Sequence, residues 1–378
     1  MRPQREVVFW GWTLTFEPDG SEMAFQKRFI RTDGRTIFEM GSVKPREYDF
    51  SGIALPTFED AHSHLADRKL TVPPGTPLAQ VVRPPDGLKH AYLKSASKEE
   101  LVTSLRAGLD GLVRSGATRT HEFREGGIAG VRLFADALRA LEPKRRDYMT
   151  PVVLGRPGAI SGRPEGSENQ FFEKLGRLLA RCDGLGLSAI GDGDAPWNVE
   201  VAQFARRKGK VVEVHCSEVQ REPIGSVIEA GASQVVHMIH GTDDDFKALA
   251  QKGVSVAVCT RSNEFFALTA PVARMVECNV DIRIGTDNAF LGPPDLFAEA
   301  RAFARVHKQS AGLSAIQILA SMLRRQGINE GPPIAPREGD RPDLLILDVQ
   351  GERPERDVIA KGRPESVVAI VGSQGGKP

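Results

Sequence analysis

Two kinds of segment alternate along the chain from about residue 54 to residue 327. Short runs rich in β-branched residues are followed by longer stretches whose apolar residues recur at helical spacing. This alternation is typical of repeated strand, helix, strand units around a parallel sheet. Eight runs are predicted to be strands: Ile53–Asp60, Ala117–Phe123, Pro151–Arg156, Leu185–Ile190, Lys210–Cys216, Gln234–His240, Val254–Cys259 and Asp281–Asp287.

Several of the intervening helices carry boundary signals. Ser97 followed by Glu100 is a capping box, and Gly116 marks the end of the helix that begins there. Eight strand and helix pairs favour a closed barrel over an open sheet, so we predict an α/β fold with a parallel eight-stranded β/α barrel of the TIM type. Further helices are predicted over Gly130–Leu141, Asn169–Cys182 and Asp243–Gln251.

The two ends of the chain have short strands without long helices. Turn signals stand at Pro18–Gly20 and Asp33–Gly34, and further strands are predicted at Asp343–Val349 and Val367–Val371. We therefore expect both termini to form one small β domain.

This interpretation gives a composite β domain of residues 1–52 and 338–378, and a barrel domain of residues 53–337. Within the barrel domain, residues 66–93 form a proline-rich insertion directly after the first strand. Irregular segments of that length are usually functional or disordered, and we interpret this one as a lid over the site.

Composition narrows the classes of function. The 378 residues carry 50 Lys and Arg against 49 Asp and Glu, and the resulting net charge of +1 predicts no nucleic-acid partner. Since no apolar run approaches the roughly 18 residues of a membrane helix and no signal peptide is recognisable, we expect no membrane partner and a cytoplasmic location. The four cysteines include no Cys-x-x-Cys, which argues against a disulfide framework or a structural zinc cluster. The expected partner is a small-molecule substrate, and the sequence leaves open whether the chain forms a homo-oligomer.

Candidate metal ligands stand at the C-terminal ends of three predicted strands. His62 and His64 alternate on the first strand, His215 ends the fifth and Asp287 ends the eighth. A lone His-x-His is a weak signal, but the C-terminal ends of barrel strands converge on one face. We therefore predict one divalent metal held by these four residues, with zinc expected and iron or manganese as alternatives.

Two further residues are candidates for catalytic roles in the pocket. Glu218 lies just beyond the fifth strand, where it could move a proton, although a carboxylate that stabilises a helix N-terminus is the alternative. His237 and His240 face opposite sides of the sixth strand by alternation. The strand-end position favours His240 in the pocket and His237 as a packed histidine.

Three residues are candidate substrate contacts. His121 ends the predicted second strand, and Arg261 and Asn263 follow the seventh. The alternatives are a structural histidine and an ordinary surface turn.

Charged residues also interrupt the apolar runs. If Asp60, Glu213 and Arg283 share the inward phase of the candidate ligands, they pair with one another inside the barrel.

Four segments together resemble, in order and approximate spacing, the metal motifs of the amidohydrolase superfamily. The closest branch is similar to the aminohydrolases that include cytosine and guanine deaminases, because of the His-x-x-Glu after strand five and the Cys259–Asn263 segment. The segments are Leu55–His64, Val214–Glu218, Ile239–Gly241 and Gly285–Asn288.

The resemblance implies that His62, His64, His215 and Asp287 hold one metal. It further implies that Glu218 moves protons, that Asp287 also acts as a base, and that His240 orients the attacking water or the substrate. The fourth predicted strand contains no lysine, so a bridging carbamate is not expected and a single-metal site is favoured.

The implied activity is deamination of a nitrogen heterocycle, resembling a nucleobase, nucleoside or pterin, by a metal-bound hydroxide. Hydrolysis of a cyclic or linear amide is the first alternative, because such a hydroxide does not distinguish a C=O carbon from a C=N carbon. A non-catalytic barrel that serves as a scaffold is the second.

Overall fold

The computed structural model describes residues 6–16, 23–157, 163, 166–323 and 335–372, and the predicted turn at Pro18–Gly20 lies outside them. No helix in these ranges is long and apolar enough to cross a bilayer. The strands are β1 (Val7–Phe16), β2 (Met23–Thr32), β3 (Ile37–Gly41), β4 (Phe50–Pro56), β5 (Phe58–His64), β6 (Ala117–Arg124), β7 (Val152–Gly155), β8 (Gly184–Leu187), β9 (Val211–Cys216), β10 (Gln234–His237), β11 (Ser255–Val258), β12 (Ile282–Ile284), β13 (Asp287–Asn288), β14 (Asp343–Leu347) and β15 (Val367–Gly372).

The helices include those predicted from the sequence, with ends shifted by a few residues. Ser97 caps α3 by accepting a hydrogen bond from the backbone of Glu100, and Gly253 ends α9 in the left-handed conformation. The helices are α1 (Leu78–Val82), α2 (Leu88–Ser95), α3 (Lys98–Arg114), α4 (Gly127–Arg139), α5 (Pro143–Tyr148), α6 (Glu168–Leu179), α7 (Ala195–Arg207), α8 (Ile224–Glu229), α9 (Asp243–Lys252), α10 (Thr260–Phe265), α11 (Val272–Glu277), α12 (Leu296–His307), α13 (Ala315–Ala320) and α14 (Pro354–Lys361).

The larger sheet is a parallel barrel, as predicted. Strands β5 to β12 pair in chain order, and β13 then pairs with β5, so that Asp287 lies opposite Ser63 and Asn288 opposite His64. The predicted eighth strand is thus divided into β12 and β13. Asp60 accepts hydrogen bonds from the backbone nitrogen and the Oγ1 of Thr286, both at 2.8 Å, and these bonds hold the first and last strands together.

The smaller sheet joins both ends of the chain in the order β15-β14-β4-β1-β2-β3. The predicted strand Ile53–Asp60 spans two observed strands, because β4 belongs to this sheet and β5 to the barrel. The expected domain boundary at residue 52 therefore falls inside β4, which pairs with both β1 and β14. The turn at Asp33–Gly34 lies where it was predicted, with Gly34 at a φ of +81°.

The inward phase predicted for β5 is wrong by one residue. The pairing of β5 with β6 is irregular between Asp60 and Ser63, so that Ala61 and His62 together lie opposite one residue of β6. As a result Glu59, and not Asp60, reaches the barrel interior, where it lies 3.6 Å from Arg283. Asp60 is fully buried but bonds to Thr286 instead.

Gly116 shows how closely the two domains pack. It has a φ of +83°, and an added Cβ would clash with the side chain of Leu345, a buried residue of the terminal sheet. Gly209 has a similar φ of +72° but open space around it.

We expect Gly116→Ala to lower the free energy of unfolding by about 2 to 4 kcal/mol, because it adds overpacking to left-handed backbone strain. Gly209→Ala, the matched control, carries the strain alone and should cost about 1 kcal/mol. Urea unfolding followed by circular dichroism measures both. Equal losses would contradict the close packing of the terminal sheet on the barrel.

Candidate metal centre

Four histidines and one aspartate meet at the C-terminal mouth of the barrel. His62 and His64 come from β5, His215 from β9, His237 from β10 and Asp287 from β13. Asp287 Oδ1 lies 3.4 Å from His62 Nε2 and 3.9 Å from His64 Nε2, and the Nε2 atoms of His64 and His215 are 3.2 Å apart. The structure therefore brings together all four residues that the sequence suggested as ligands, and adds His237.

The polar atoms at this point fit a bound cation. Both ring nitrogens of His62 and Oδ1 of Asp287 are buried without a hydrogen-bond partner among the described residues. Buried polar atoms normally have hydrogen-bond partners. Lone pairs that converge without such partners are therefore expected to bind a common cation. One ligand atom from each of His62, His64 and Asp287 lies within 4.8 Å of the others. Imidazole and carboxylate are donors that zinc, iron and manganese accept.

The protonation states also suit a metal site. Burial lowers the pKa of His64 to about 3, and burial together with the neighbouring histidines holds the pKa of His215 well below its usual value. Both imidazoles are therefore neutral at physiological pH, as metal ligands must be. For Asp287 burial acts to raise the pKa, but the adjacent histidines, His62 first, outweigh it and keep the carboxylate ionised.

Neighbouring groups fix which ring nitrogen each histidine presents. His64 Nδ1 lies 3.0 Å from Glu125 Oε1, and His215 Nδ1 donates to the carbonyl of Leu187 at 2.9 Å. Such contacts set the tautomer and leave Nε2 for the metal. Glu125 belongs to no motif in the sequence, although its position just after β6 lies on the face where the candidate ligands meet.

Aromatic packing forms the floor of this centre. The ring of Phe123 lies 4.6 Å from the ring of His62 and 4.8 Å from that of His215, measured between centroids. Below it, an apolar layer fills the barrel: Ala61, Val152, Leu154, Val236, Ala257 and Cys259. The layer separates the centre from the opposite end of the barrel.

Glu218 reaches the centre from the loop after β9. Its side chain is 14% exposed, and its Oε1 lies 3.3 Å from His237 Nε2. Burial is the main cause that raises its pKa, with a contribution from the Asp287 carboxylate. A carboxyl group with a raised pKa is suited to give up a proton near neutral pH.

The expectation for His237 and His240 is wrong. Strand β10 ends at His237, and His237 and Met238 have φ angles of +74° and +53°, so the chain leaves the sheet there. Alternation therefore does not extend to His240, which is exposed, while His237 is buried in the pocket. Two other barrel strands, β8 and β11, are also only four residues long, and a short β10 is the signal that would have favoured His237.

His121 does not lie where substrate could reach it. Strand β6 continues to Arg124, so His121 sits in mid-strand inside the barrel, with Nδ1 2.6 Å from Glu213 Oε1 and Nε2 3.0 Å from Glu59 Oε1. The predicted interior pairing of charges thus involves Glu213 and Arg283, with Glu59 in place of Asp60. The structural alternative for His121 is the one that this geometry supports.

Arg261 and Asn263 are not among the described residues that line the pocket. The chain turns into α10 directly after Cys259, and Ser262, which lies between them, points inward and donates to Asp287 Oδ2. Ser262 is therefore the residue of this segment that supports the centre.

The pocket above the centre lies between the barrel mouth and the 66–93 segment. This segment contributes α1 and the start of α2, and among its pocket-lining residues is the buried Lys89. Lys89 Nζ lies 3.0 Å from Asn288 Oδ1 and 3.2 Å from Glu125 Oε1. Arg156, after β7, lines the same pocket. The sequence did not indicate that Lys89 lines the pocket, because a single lysine in a proline-rich stretch forms no recognisable motif.

The chain is similar in sequence to a known enzyme family. A family model described as "Amidohydrolase family" matches residues 53–322. A protein described as "Putative aminohydrolase" from Methanothermobacter thermautotrophicus is 25% identical over 333 residues, which are 84% of this chain and 84% of that protein.

Two solved structures resemble the whole chain. A guanine deaminase from C. acetobutylicum with bound guanine has a TM-score of 0.69 at 15% identity, covering 98% of this chain and all of the other. An adenosine deaminase from Xanthomonas campestris with bound zinc has a TM-score of 0.67 at 16% identity, covering 97% and 89%. At these low sequence identities, the structural similarity supports the fold alone.

The environment of His121 predicts a dependence of stability on pH. Burial alone would lower its pKa, but Glu213 and Glu59 outweigh burial and raise the pKa from 6.5 to about 10. The folded state therefore binds a proton that the unfolded state lacks between about pH 6.5 and pH 10. The stabilisation is complete below this window and is lost as the pH rises through it.

We expect His121→Gln to lose this contribution, so that its unfolding free energy falls less than that of the wild type between pH 7 and pH 9.5. The difference in slope should approach about 1.4 kcal/mol per pH unit. Urea titrations at both pH values measure it. Parallel pH profiles for the two proteins would contradict a charged His121 in the folded barrel.

Proposed function

This chain belongs to the amidohydrolase family and is a hydrolase of non-peptide C–N bonds, and on that premise we propose that it removes the amino group from a nitrogen heterocycle with the help of one divalent metal. The observation that carries the proposal is the cluster of neutral imidazoles beside Asp287, with the carboxyl group of Glu218 at its edge. The expected metal is zinc, and the expected products are a lactam and ammonia.

His62, His64, His215 and Asp287 would hold the metal. A bound divalent cation of this kind would lower the pKa of a coordinated water to about 7, which would supply a nucleophile at neutral pH. The floor around Phe123 keeps bulk water away from the ligand side chains, since it closes the barrel below them.

Glu218 would donate a proton to the ring nitrogen next to the carbon under attack. The protonated nitrogen makes that carbon electron-poor, which is the main requirement for adding water to a C=N bond. After addition, the Glu218 carboxylate would take the proton of the hydroxyl group now bound to that carbon and pass it to the amino group, which leaves as ammonia while the carbon–oxygen double bond forms. His237 Nε2, 3.3 Å from Glu218, would orient the water, a role that the sequence had suggested for His240.

The names of similar proteins support a heterocyclic amine as substrate. The relative from Methanothermobacter thermautotrophicus is described as an aminohydrolase, and the two similar structures are deaminases of guanine and of adenosine. Hydrolysis of a cyclic or linear amide breaks the bond between the carbonyl carbon and the amide nitrogen, whereas deamination breaks the bond between a ring carbon and its amino group. Release of free ammonia distinguishes the two reactions.

The assigned roles predict separate effects on metal content and turnover. Glu218→Gln should keep the metal and lower kcat by about 100- to 10,000-fold, because it removes the proton donor and leaves the ligands in place. His215→Ala should lose both metal and activity. Elemental analysis, combined with ammonia release over purines, pyrimidines and pterins, measures both effects. Unchanged turnover in Glu218→Gln would refute the role of that residue.

The two histidines of the β10 segment provide a matched pair. His237→Ala should lower kcat by about 100-fold or more, because it removes the group that orients the reacting water. His240→Ala should remain within about twofold of the wild type, because an exposed side chain outside the pocket contributes little. The reverse order of effects would restore the assignment made from the sequence. Both variants are assayed with the heterocycle that releases ammonia fastest.

A further inference from the structure

Arg156 is a buried cation with few partners. The residue is 8% exposed and lines the pocket. Among the residues that the structure describes, its side chain makes one ion pair, 3.6 Å from Glu125 Oε1, and no hydrogen bond. A guanidinium carries five N–H donors, and buried donors are normally satisfied. Arg156 therefore offers unused donors to whatever occupies the pocket.

Lys89 brings a second cation to the same wall. It reaches in from α2, is 3% exposed, and lies 3.2 Å from the same Glu125 oxygen. Its other acidic neighbour is Asp67, at 3.7 Å, and burial raises the pKa of Asp67 to about 7. Asp67 thus carries only part of a negative charge at neutral pH.

Glu125 is shared too widely to neutralise both cations. Besides Lys89 and Arg156, the same oxygen lies 3.0 Å from His64 Nδ1, and the other oxygen accepts from Arg124 at 3.1 Å. Several positive groups thus surround one carboxylate. The positive charge beside this carboxylate therefore exceeds what Glu125 alone neutralises.

Besides Glu218 and Asp287 of the candidate metal centre, two other acids line the pocket. Glu222 accepts hydrogen bonds from the backbone nitrogens of Ser217 at 3.0 Å and Gly191 at 3.3 Å, so protein donors already compensate its charge. Asp192 lies on the loop after β8 and attracts the guanidinium of Arg156. Asp192 therefore competes with an incoming anion and does not replace one.

We infer that Arg156 and Lys89 form a subsite for an anionic oxygen group, a carboxylate or a phosphate, so that the substrate is an acidic nitrogen heterocycle. Arg156 binds two oxygens of such a group in the bidentate manner of guanidinium, and Lys89 adds a point charge. Since Glu125 connects both cations to His64, the acidic group lies on the side of the metal centre where His64 stands. This inference deepens the proposed function and rests on it for the heterocycle.

Binding measurements test the subsite without relying on turnover. The carboxylate arm compares pterin-6-carboxylate with pterin by fluorescence titration, and the phosphate arm compares guanosine 5'-monophosphate with guanosine by calorimetry. Each pair is measured with zinc-loaded and with metal-depleted protein. In at least one arm, the acidic member should bind about 10- to 100-fold more tightly, the range of a charge-assisted hydrogen bond.

The variants separate Arg156 from general effects of charge. Arg156→Met keeps an unbranched apolar stem without the guanidinium and should abolish the preference for the acidic ligand, whereas Arg156→Lys should retain part of it. Arg83→Met is the matched control, because Arg83 lines the rim but is exposed, and it should change affinity by less than about threefold. Asp192→Asn should strengthen binding of the acidic ligand. Unchanged zinc content and thermal unfolding establish that each variant is folded.

The outcomes distinguish this inference from the proposed function. An acidic preference that depends on Arg156, without ammonia release from any heterocycle, supports the subsite and refutes the deaminase assignment. Ammonia release with no acidic preference in either arm, or with a preference that survives in Arg156→Met, overturns the subsite and leaves the assignment intact.

Discussion

The two-residue pairing between β13 and β5 is the interaction on which the rest of this structure depends. It places Asp287 opposite Ser63 and Asn288 opposite His64, and so joins the last strand of the barrel to the first. The same pairing sets the Asp287 carboxylate within 4 Å of two imidazoles. Barrel closure and the geometry of the candidate metal centre therefore depend on the same contact. Asp60 stabilises both, because it accepts a hydrogen bond from Thr286, the residue directly before Asp287.

The two ends of the barrel use buried charge in opposite ways. At the lower end, His121 is enclosed by Glu59 and Glu213, so the charges there are satisfied by one another. At the upper end, the ligand atoms of His62 and Asp287 have no partner among the described residues. The apolar layer below Phe123 keeps the two networks apart. One network stabilises the fold, and the other is complete only when a cation binds.

Local patterns predicted most of the fold and the candidate ligands, because strand ends of a parallel barrel converge wherever they lie in the chain. The failures have specific physical causes. The irregular pairing in β5 shifted the inward phase from Asp60 to Glu59, and the early end of β10 exchanged His237 for His240. The alternation rule infers the direction of a side chain from its position in a regular strand. It therefore fails where a bulge or a left-handed turn interrupts the strand.

Lys89, Glu125 and Arg156 illustrate a different limit. They come from α2, from the end of β6 and from the end of β7, and none lies in a motif. Their relation becomes visible only in the folded barrel, where Lys89, Arg156 and His64 all contact one carboxylate oxygen of Glu125. Because that oxygen contacts two pocket-lining cations as well as a candidate metal ligand, the proposed anion subsite and the proposed metal centre are electrostatically coupled.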